Sequence, residues 1–160
     1  MWGIQTENRC LQYFRGLLPG VELDTAIDTA LSCGHQVILT LDQLLCFRSG
    51  CGVHLRKTDH LADALDQLDQ LNDPWPITAG IRHERDIERQ RMWPSDALLI
   101  SPVRETPSHD DMQPLGWERF SELARKVGVP AYALGGMTRD DRSMVTEHAG
   151  FGIAGIRGFQ

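Results

Sequence analysis

The chain alternates short apolar runs with longer amphipathic stretches, and this alternation constrains the fold more than any other feature of the sequence. The short runs are too short for helices and are bounded by Gly, Pro or Asp, which predicts buried strands. The longer stretches repeat apolar residues at helical spacing. Strands are predicted at residues 37–41, 52–55, 77–80, 97–100, 131–134 and 152–156, with a further candidate at 10–14. Helices are predicted at residues 22–33, 60–71, 84–92, 118–127 and 138–148.

Strands that alternate with helices, without hairpin signals, predict parallel βαβ units in one domain over residues 1–160. A closed (β/α) barrel and an open doubly wound sheet both satisfy this pattern. Glycines follow the late strands at Gly135, Gly136 and residues 155–158. They favour the barrel, because barrels often bind phosphate on the loops after their last two strands. No GxGxxG motif follows the first strand, which counts against a dinucleotide-binding sheet.

The chain has 160 residues, whereas a complete eight-stranded barrel usually needs roughly 200 or more. Two explanations are open. Either the barrel is truncated by one βα unit at its N-terminus, or residues 1–6 supply an abbreviated first strand. A truncated barrel would expose strand edges and apolar surface, and would therefore favour a homo-oligomer.

Composition and charge argue against several classes of function. The formal net charge is −6 and no block of Lys or Arg occurs, so no nucleic-acid partner is expected. No apolar run is long enough to cross a membrane. The four cysteines form no CxxC motif, and free thiols indicate a reducing, cytoplasmic location. Cys33 and Cys46 have apolar surroundings and are predicted to be small core residues.

Several segments add a more specific signal. These segments are the predicted strand at residues 52–55 and residues 97–103, 114–118, 131–137 and 152–159. Together they resemble thiamine phosphate synthase and the related TenI proteins, most closely the TenI-like domain fused behind Nudix hydrolases. The resemblance covers most of the chain after Leu11. It implies a TIM barrel that binds a phosphorylated ligand, thiazole phosphate or thiamine phosphate, and a Nudix hydrolase as a candidate partner.

The synthases of this family join thiazole phosphate to a pyrimidine pyrophosphate with magnesium, whereas TenI relatives tautomerise the thiazole phosphate or have no established activity. The resemblance places the synthase's pyrophosphate-binding cations at Phe14 and Gly16 and one metal carboxylate at Thr40. Ile81 and His109 stand in place of a serine and a lysine. A magnesium–pyrophosphate site needs such carboxylates and cations. Mg²⁺ is therefore expected only if synthase activity is retained, and no cofactor is required otherwise.

Two residues match single positions of the family. His83 aligns with the histidine that TenI tautomerases use for proton transfer, which imidazole performs near neutral pH without a metal. A surface histidine beside a helix N-terminus is the alternative. Asp59 aligns with the second metal carboxylate of the synthases. With its partner carboxylate absent, Thr58 and Asp59 are better interpreted as the cap of the following helix.

The remaining candidates concern the phosphate group and a loop over it. With the family resemblance, phosphate binding through backbone N–H groups and one guanidinium is predicted at Gly135, Gly136, Gly155, Arg157 and Gly158. The alternatives are a tight turn at Gly135 and Gly136 that needs positive φ, and a solvent-facing or ion-paired Arg157. A candidate ligand loop contains Thr106, Ser108 and His109. Three functions follow, in order of preference: a TenI-like isomerase, a non-catalytic binding or regulatory module, and a thiamine phosphate synthase.

Overall fold

Eight short strands close into a barrel, with helices packed against its outer surface. This computed structural model describes residues 2–6, 9–13, 16–107 and 112–155, with side chains from Gln12 onward. The strands are β1 (Trp2–Thr6), β2 (Arg9–Tyr13), β3 (Gln36–Leu39), β4 (Cys51–Leu55), β5 (Ile77–Ile81), β6 (Ala97–Ile100), β7 (Ala131–Leu134) and β8 (Gly152–Gly155). The α-helices are α1 (Val21–Ser32), α2 (Leu61–Leu68), α3 (Glu84–Gln90), α4 (Gly116–Ala124) and α5 (Arg142–Glu147).

The first strand completes the ring. Strands β2 to β8 are parallel, each paired with the next, whereas β1 pairs antiparallel with both β2 and β8. One parallel βα unit of a standard barrel is thus replaced by a single antiparallel strand. Closure excludes the doubly wound sheet. The sheet of the described residues has no open edge, contrary to the expectation for a truncated barrel.

Two connections differ from the predicted helical pattern. A 3₁₀ helix, Leu41–Cys46, links β3 to β4, and its first turn is stabilised by the buried side chain of Gln43, which accepts hydrogen bonds from N and Oγ1 of Thr40. The helix predicted at 138–148 divides into a 3₁₀ turn, Arg139–Asp141, and α5. The side chain of Asp141 accepts hydrogen bonds from Thr138 and holds that first turn tight.

Along each strand, successive side chains point alternately into the lumen and towards the helical layer. A large apolar cluster lies between strands and helices and includes the fully buried Leu98, Phe120 and Leu123. A smaller cluster fills the lumen around Ile38 and Leu99. The prediction for Cys33 was wrong: it is exposed at the C-terminus of α1, whereas Cys46 is buried as expected. In the described part of the chain, no helix is long and apolar enough to cross a membrane.

Candidate functional site

The loops after strands β3 to β7 meet at one end of the barrel, which we call the mouth. Ligand sites of (β/α) barrels lie at this C-terminal end because successive loops converge there. Eight charged residues of the described loops, which we call the rim, take part in the contacts below: Asp42, Asp59, Asp86, Asp141, Arg56, Lys57, Arg82 and Arg104. The sequence pattern held no sign of this rim beyond the presence of charged residues shortly after several strands.

Arg56 directly follows β4, and its guanidinium lies between two carboxylates. Its Nη2 is 3.3 Å from Oδ1 of Asp42, and its Nε is 3.3 Å from Oδ1 of Asp59. The backbone N–H of Arg56 donates to Oδ2 of Asp59 at 2.7 Å. The carboxylate of Asp59 therefore closes a turn on Arg56. The expectation that Asp59 caps α2 was wrong, because the cap position belongs to His60 and Asp59 is engaged by Arg56.

The loop after β4 is also held from the neighbouring helix. Arg89 of α3 donates hydrogen bonds to the backbone carbonyls of Lys57 and Asp59, the second at 2.6 Å. The guanidinium of Arg89 also lies over the ring of Trp93, 4.9 Å from its centroid. Since both ends of the turn are fixed, the position of Arg56 is set by the fold.

His83 lies between β5 and α3, at the position predicted from the sequence. It is exposed, and its backbone N–H donates to Oδ2 of Asp86 at 2.9 Å. The same carboxylate accepts from the N–H of Arg82 and from Nζ of Lys57, both at 2.7 Å. Partial desolvation, followed by the charge of Arg85, lowers the pKa of His83, while the charge of Asp86 opposes this. The lowered pKa favours the neutral imidazole, which can accept a proton.

The two glycines after β7 form a tight turn against the loop after β6. Gly135 and Gly136 have φ of 98° and 67°, in the left-handed region that favours glycine. A Cβ at Gly135 would stand 2.6 Å from Cβ of Pro102, and one at Gly136 would stand 2.6 Å from the carbonyl oxygen of Glu105. Gly135 is buried and Gly136 is exposed. Among the described residues, none accepts a hydrogen bond from the N–H of Gly136.

The same two loops are joined by hydrogen bonds and by an ion pair. The N–H of Val103 donates to the carbonyl of Leu134 at 2.8 Å, and that of Arg104 donates to Gly135 at 3.1 Å. The guanidinium of Arg104 pairs with the buried carboxylate of Asp141. The glycine turn thus has a structural role, and its phosphate-binding role stays a prediction.

Below the rim, polar side chains line the lumen. Nδ1 of His54 and Oγ1 of the buried Thr78 are hydrogen-bonded at 3.0 Å, and the ring of Tyr13 lies 6.0 Å from that of His54. Burial, with a smaller contribution from the charge of Arg56, lowers the pKa of His54 to about 4. His54 is therefore neutral at physiological pH.

The other predicted site residues have varied positions. Gly155 ends β8, is buried in the barrel wall, and pairs with Gly3 of β1. Thr106 is half-buried in the loop between β6 and α4. Ser108, His109, Arg157 and Gly158 lie outside the described residues.

Magnesium, the metal that a synthase would need, does not fit the carboxylates that the structure describes. No three His, Cys, Asp or Glu side chains come together as a ligand set in residues 2–6, 9–13, 16–107 and 112–155. Of the residues at the two aligned metal positions, Thr40 has no carboxylate and Asp59 is bound by Arg56.

Comparison with known proteins shows which family the chain belongs to. The family model described as thiamine monophosphate synthase matches residues 33–159, nearly all of the barrel after α1. The chain belongs to the thiamine monophosphate synthase family. That membership confirms the resemblance found in the strand and loop motifs, including the di-glycine turn after β7.

Individual members of the thiamine monophosphate synthase family match at lower coverage. A putative thiamine-phosphate synthase 2 from Aquifex aeolicus is 38% identical over 65 residues, 41% of this chain and 35% of that protein. The thiamine-phosphate synthase of Methanoregula boonei is 28% identical over 131 residues, 81% of this chain and 53% of that protein. The chain therefore spans about a third to a half of the length of these curated relatives.

A solved structure supports the fold. Thiamine phosphate pyrophosphorylase from Pyrococcus furiosus superposes with a TM-score of 0.72, covering 94% of this chain and 73% of that one. The sequence identity is 18%, so the likeness concerns the barrel architecture alone.

Proposed function

We propose that this domain binds a phosphorylated thiazole at the mouth of the barrel and tautomerises it, with His83 as the acid and base. The observation that supports this most directly is the exposed, neutral imidazole of His83 at the rim, on a backbone fixed by Asp86. A rigid junction places the imidazole reproducibly, which general acid–base catalysis requires.

The chemistry needs no co-reactant. In a tautomerisation the base takes a proton from one atom of the ligand and returns it to another, while the double bonds shift between them. The neutral imidazole of His83 accepts the proton, and the imidazolium formed returns it. The lowered pKa of His83 keeps the accepting form abundant at pH 7.

The phosphate group is assigned to the turn after β7 and the end of β8. Gly136 is exposed and its N–H is suited to a phosphate oxygen, and Gly135 supports the turn from its buried position. Gly155 belongs to the proposed phosphate site and Thr106 to the proposed ligand loop, while Arg157, Gly158, Ser108 and His109 stay predictions from the sequence. His83 follows β5, whereas the proposed phosphate site follows β7 and the end of β8. The two groups are therefore two to three strands apart around the ring.

The test compares two histidines at equivalent positions. His83 and His60 are both exposed and immediately precede helices in neighbouring βα units. His83→Ala is expected to lower kcat for tautomerisation of thiazole phosphate about 100-fold or more, and His60→Ala to leave it unchanged. Unchanged turnover in His83→Ala would contradict the mechanism. Mg²⁺-dependent coupling of thiazole phosphate to a pyrimidine pyrophosphate would instead indicate a synthase.

A non-catalytic binding module is the second candidate. The exposure of His83 outside the lumen favours it, since a catalytic base usually works in a site that excludes water. Calorimetry with thiazole phosphate separates the two: binding without turnover supports the module, whereas the absence of binding contradicts both candidates.

A further inference from the structure

The guanidinium of Arg56 occupies the space between the two carboxylates at the β3 and β4 side of the mouth. Nη1 and Nη2 face Asp42, at 3.5 and 3.3 Å, and Nε faces Asp59, at 3.3 Å. A guanidinium has five N–H groups. Among the contacts of the described residues these use three, which leaves one N–H on each terminal nitrogen for another acceptor.

A divalent cation cannot share this place with Arg56. Mg²⁺ and Ca²⁺ bind carboxylate oxygens directly, at about 2.0–2.6 Å. The oxygens of Asp42 and Asp59 face a guanidinium instead, and the positive charge of Arg56 repels a second cation.

Arg56 is nevertheless placed to meet a ligand. Its side chain is 40% exposed, whereas that of Asp59 is 6% exposed, so the guanidinium is open to solvent above a buried carboxylate. Its charge also reaches the lumen, because it adds to the effect of burial in lowering the pKa of His54. In the ring of eight strands, β4 stands opposite β8, across the mouth from the phosphate site.

We propose that Arg56 is a fixed cation that takes the place of a divalent metal and binds a second anionic group of the ligand directly. The ligand is then a small molecule with anionic oxygens at two ends, one for the turn after β7 and one for Arg56, and its binding requires no metal. This inference rests on the proposed function only for the position of the ligand site, and it holds with or without turnover by His83.

The first experiment measures Mn²⁺ binding by electron paramagnetic resonance. The wild-type protein is expected to bind no Mn²⁺ at the mouth, whereas Arg56→Gln frees Asp42 and Asp59 and creates a site. The double variant Arg56→Gln, Asp59→Asn is expected to lose that site again. Arg48→Gln is the matched control, since Arg48 pairs with Asp24 and Asp28 of α1. It should create no Mn²⁺ site that depends on Asp59. Wild-type Mn²⁺ binding that disappears in Asp59→Asn would overturn the proposal.

The second experiment uses inorganic pyrophosphate as the probe, by calorimetry with and without EDTA. Wild type and Arg48→Gln are expected to bind it equally in both conditions. Arg56→Gln should bind about tenfold or more weakly, because charge-assisted hydrogen bonds are lost. Arg56→Lys, which keeps the charge without the planar fork, should fall between them and covers the case in which Arg56→Gln does not fold.

Two results would overturn the binding role of Arg56: pyrophosphate binding that appears only with Mg²⁺, and the same affinity in wild type and Arg56→Gln. Failure of the proposed function is separate. It would appear as absent or His83-independent turnover of thiazole phosphate, while the Mn²⁺ and pyrophosphate results stay as expected.

Discussion

Nη2 of Arg104 lies 2.7 Å from Oδ1 of Asp141, and this ion pair joins the loop after β6 to the turn that follows β7. The carboxylate of Asp141 is buried and also accepts hydrogen bonds from N and Oγ1 of Thr138, at 2.9 and 3.0 Å. One carboxylate thus organises both loops beside the proposed phosphate site.

Asp141→Ala is therefore expected to destabilise the protein by about 1–2 kcal/mol, since it removes the acceptor that caps the 3₁₀ turn and pairs with Arg104. Asp140→Ala removes a neighbouring exposed carboxylate and should change stability by less than about 0.5 kcal/mol. Urea unfolding measures both. An equal loss in the two variants would contradict the role assigned to Asp141.

Alanine at either glycine of the turn after β7 should be costly. Gly135→Ala and Gly136→Ala place a Cβ against Pro102 and Glu105 on a backbone with positive φ, at a cost of about 1–3 kcal/mol. Gly128 is the control, because it has ordinary φ and a Cβ added there would meet no atom within 4 Å. Gly128→Ala should be neutral or stabilising by up to about 1 kcal/mol. Thermal unfolding of the three variants tests this, and similar melting temperatures would count against the close approach of the loops.

His54 should make the protein less stable in mild acid. The folded-state pKa of about 4 lies below the ordinary value of 6.5, so between these values the folded state binds fewer protons than the unfolded state. Stability therefore falls as pH falls, by up to about 2 kcal/mol between pH 7 and pH 5. Urea unfolding of His54→Gln should show a shallower fall over this range, and His60→Gln the same fall as wild type. Parallel curves for wild type and His54→Gln would contradict the prediction.

The charge of Asp86 should tune the proposed base. It raises the pKa of His83, and it neutralises Lys57, whose charge lowers that pKa. In Asp86→Asn both effects push the pKa of His83 down, so the acid limb of kcat/KM should move to lower pH by up to about one unit. Glu88→Gln, at an exposed position of the same helix, is the control. A limb that stays in place would indicate that His83 is not the titrating base.

The strands that sequence analysis predicted correctly are those with a continuous apolar run. Residues 97–100 and 131–134 match β6 and β7, because burial on both faces demands apolar side chains throughout. A first strand at residues 1–6 was only one of two alternatives, the other being a truncated barrel. The pairing of β1 depends on closure of the ring and leaves no local pattern in the sequence. The position of His83 was predictable from its place after a strand, whereas the pairing of Arg56 with Asp42 depends on two loops brought together by the barrel.

The antiparallel strand β1 also sets an order of assembly. Its pairing with β2 is local, but its pairing with β8 joins positions 3 and 155 of the chain. During synthesis on the ribosome β1 and β2 can pair early. The other edge of β1 can pair only after β8 is made, more than a hundred residues later. Ring closure is therefore the slow, long-range step of folding, because loop-closure entropy must be overcome before those contacts form. Until β8 is made, that edge of β1 has no strand to pair with, and unpaired strand edges favour association between chains.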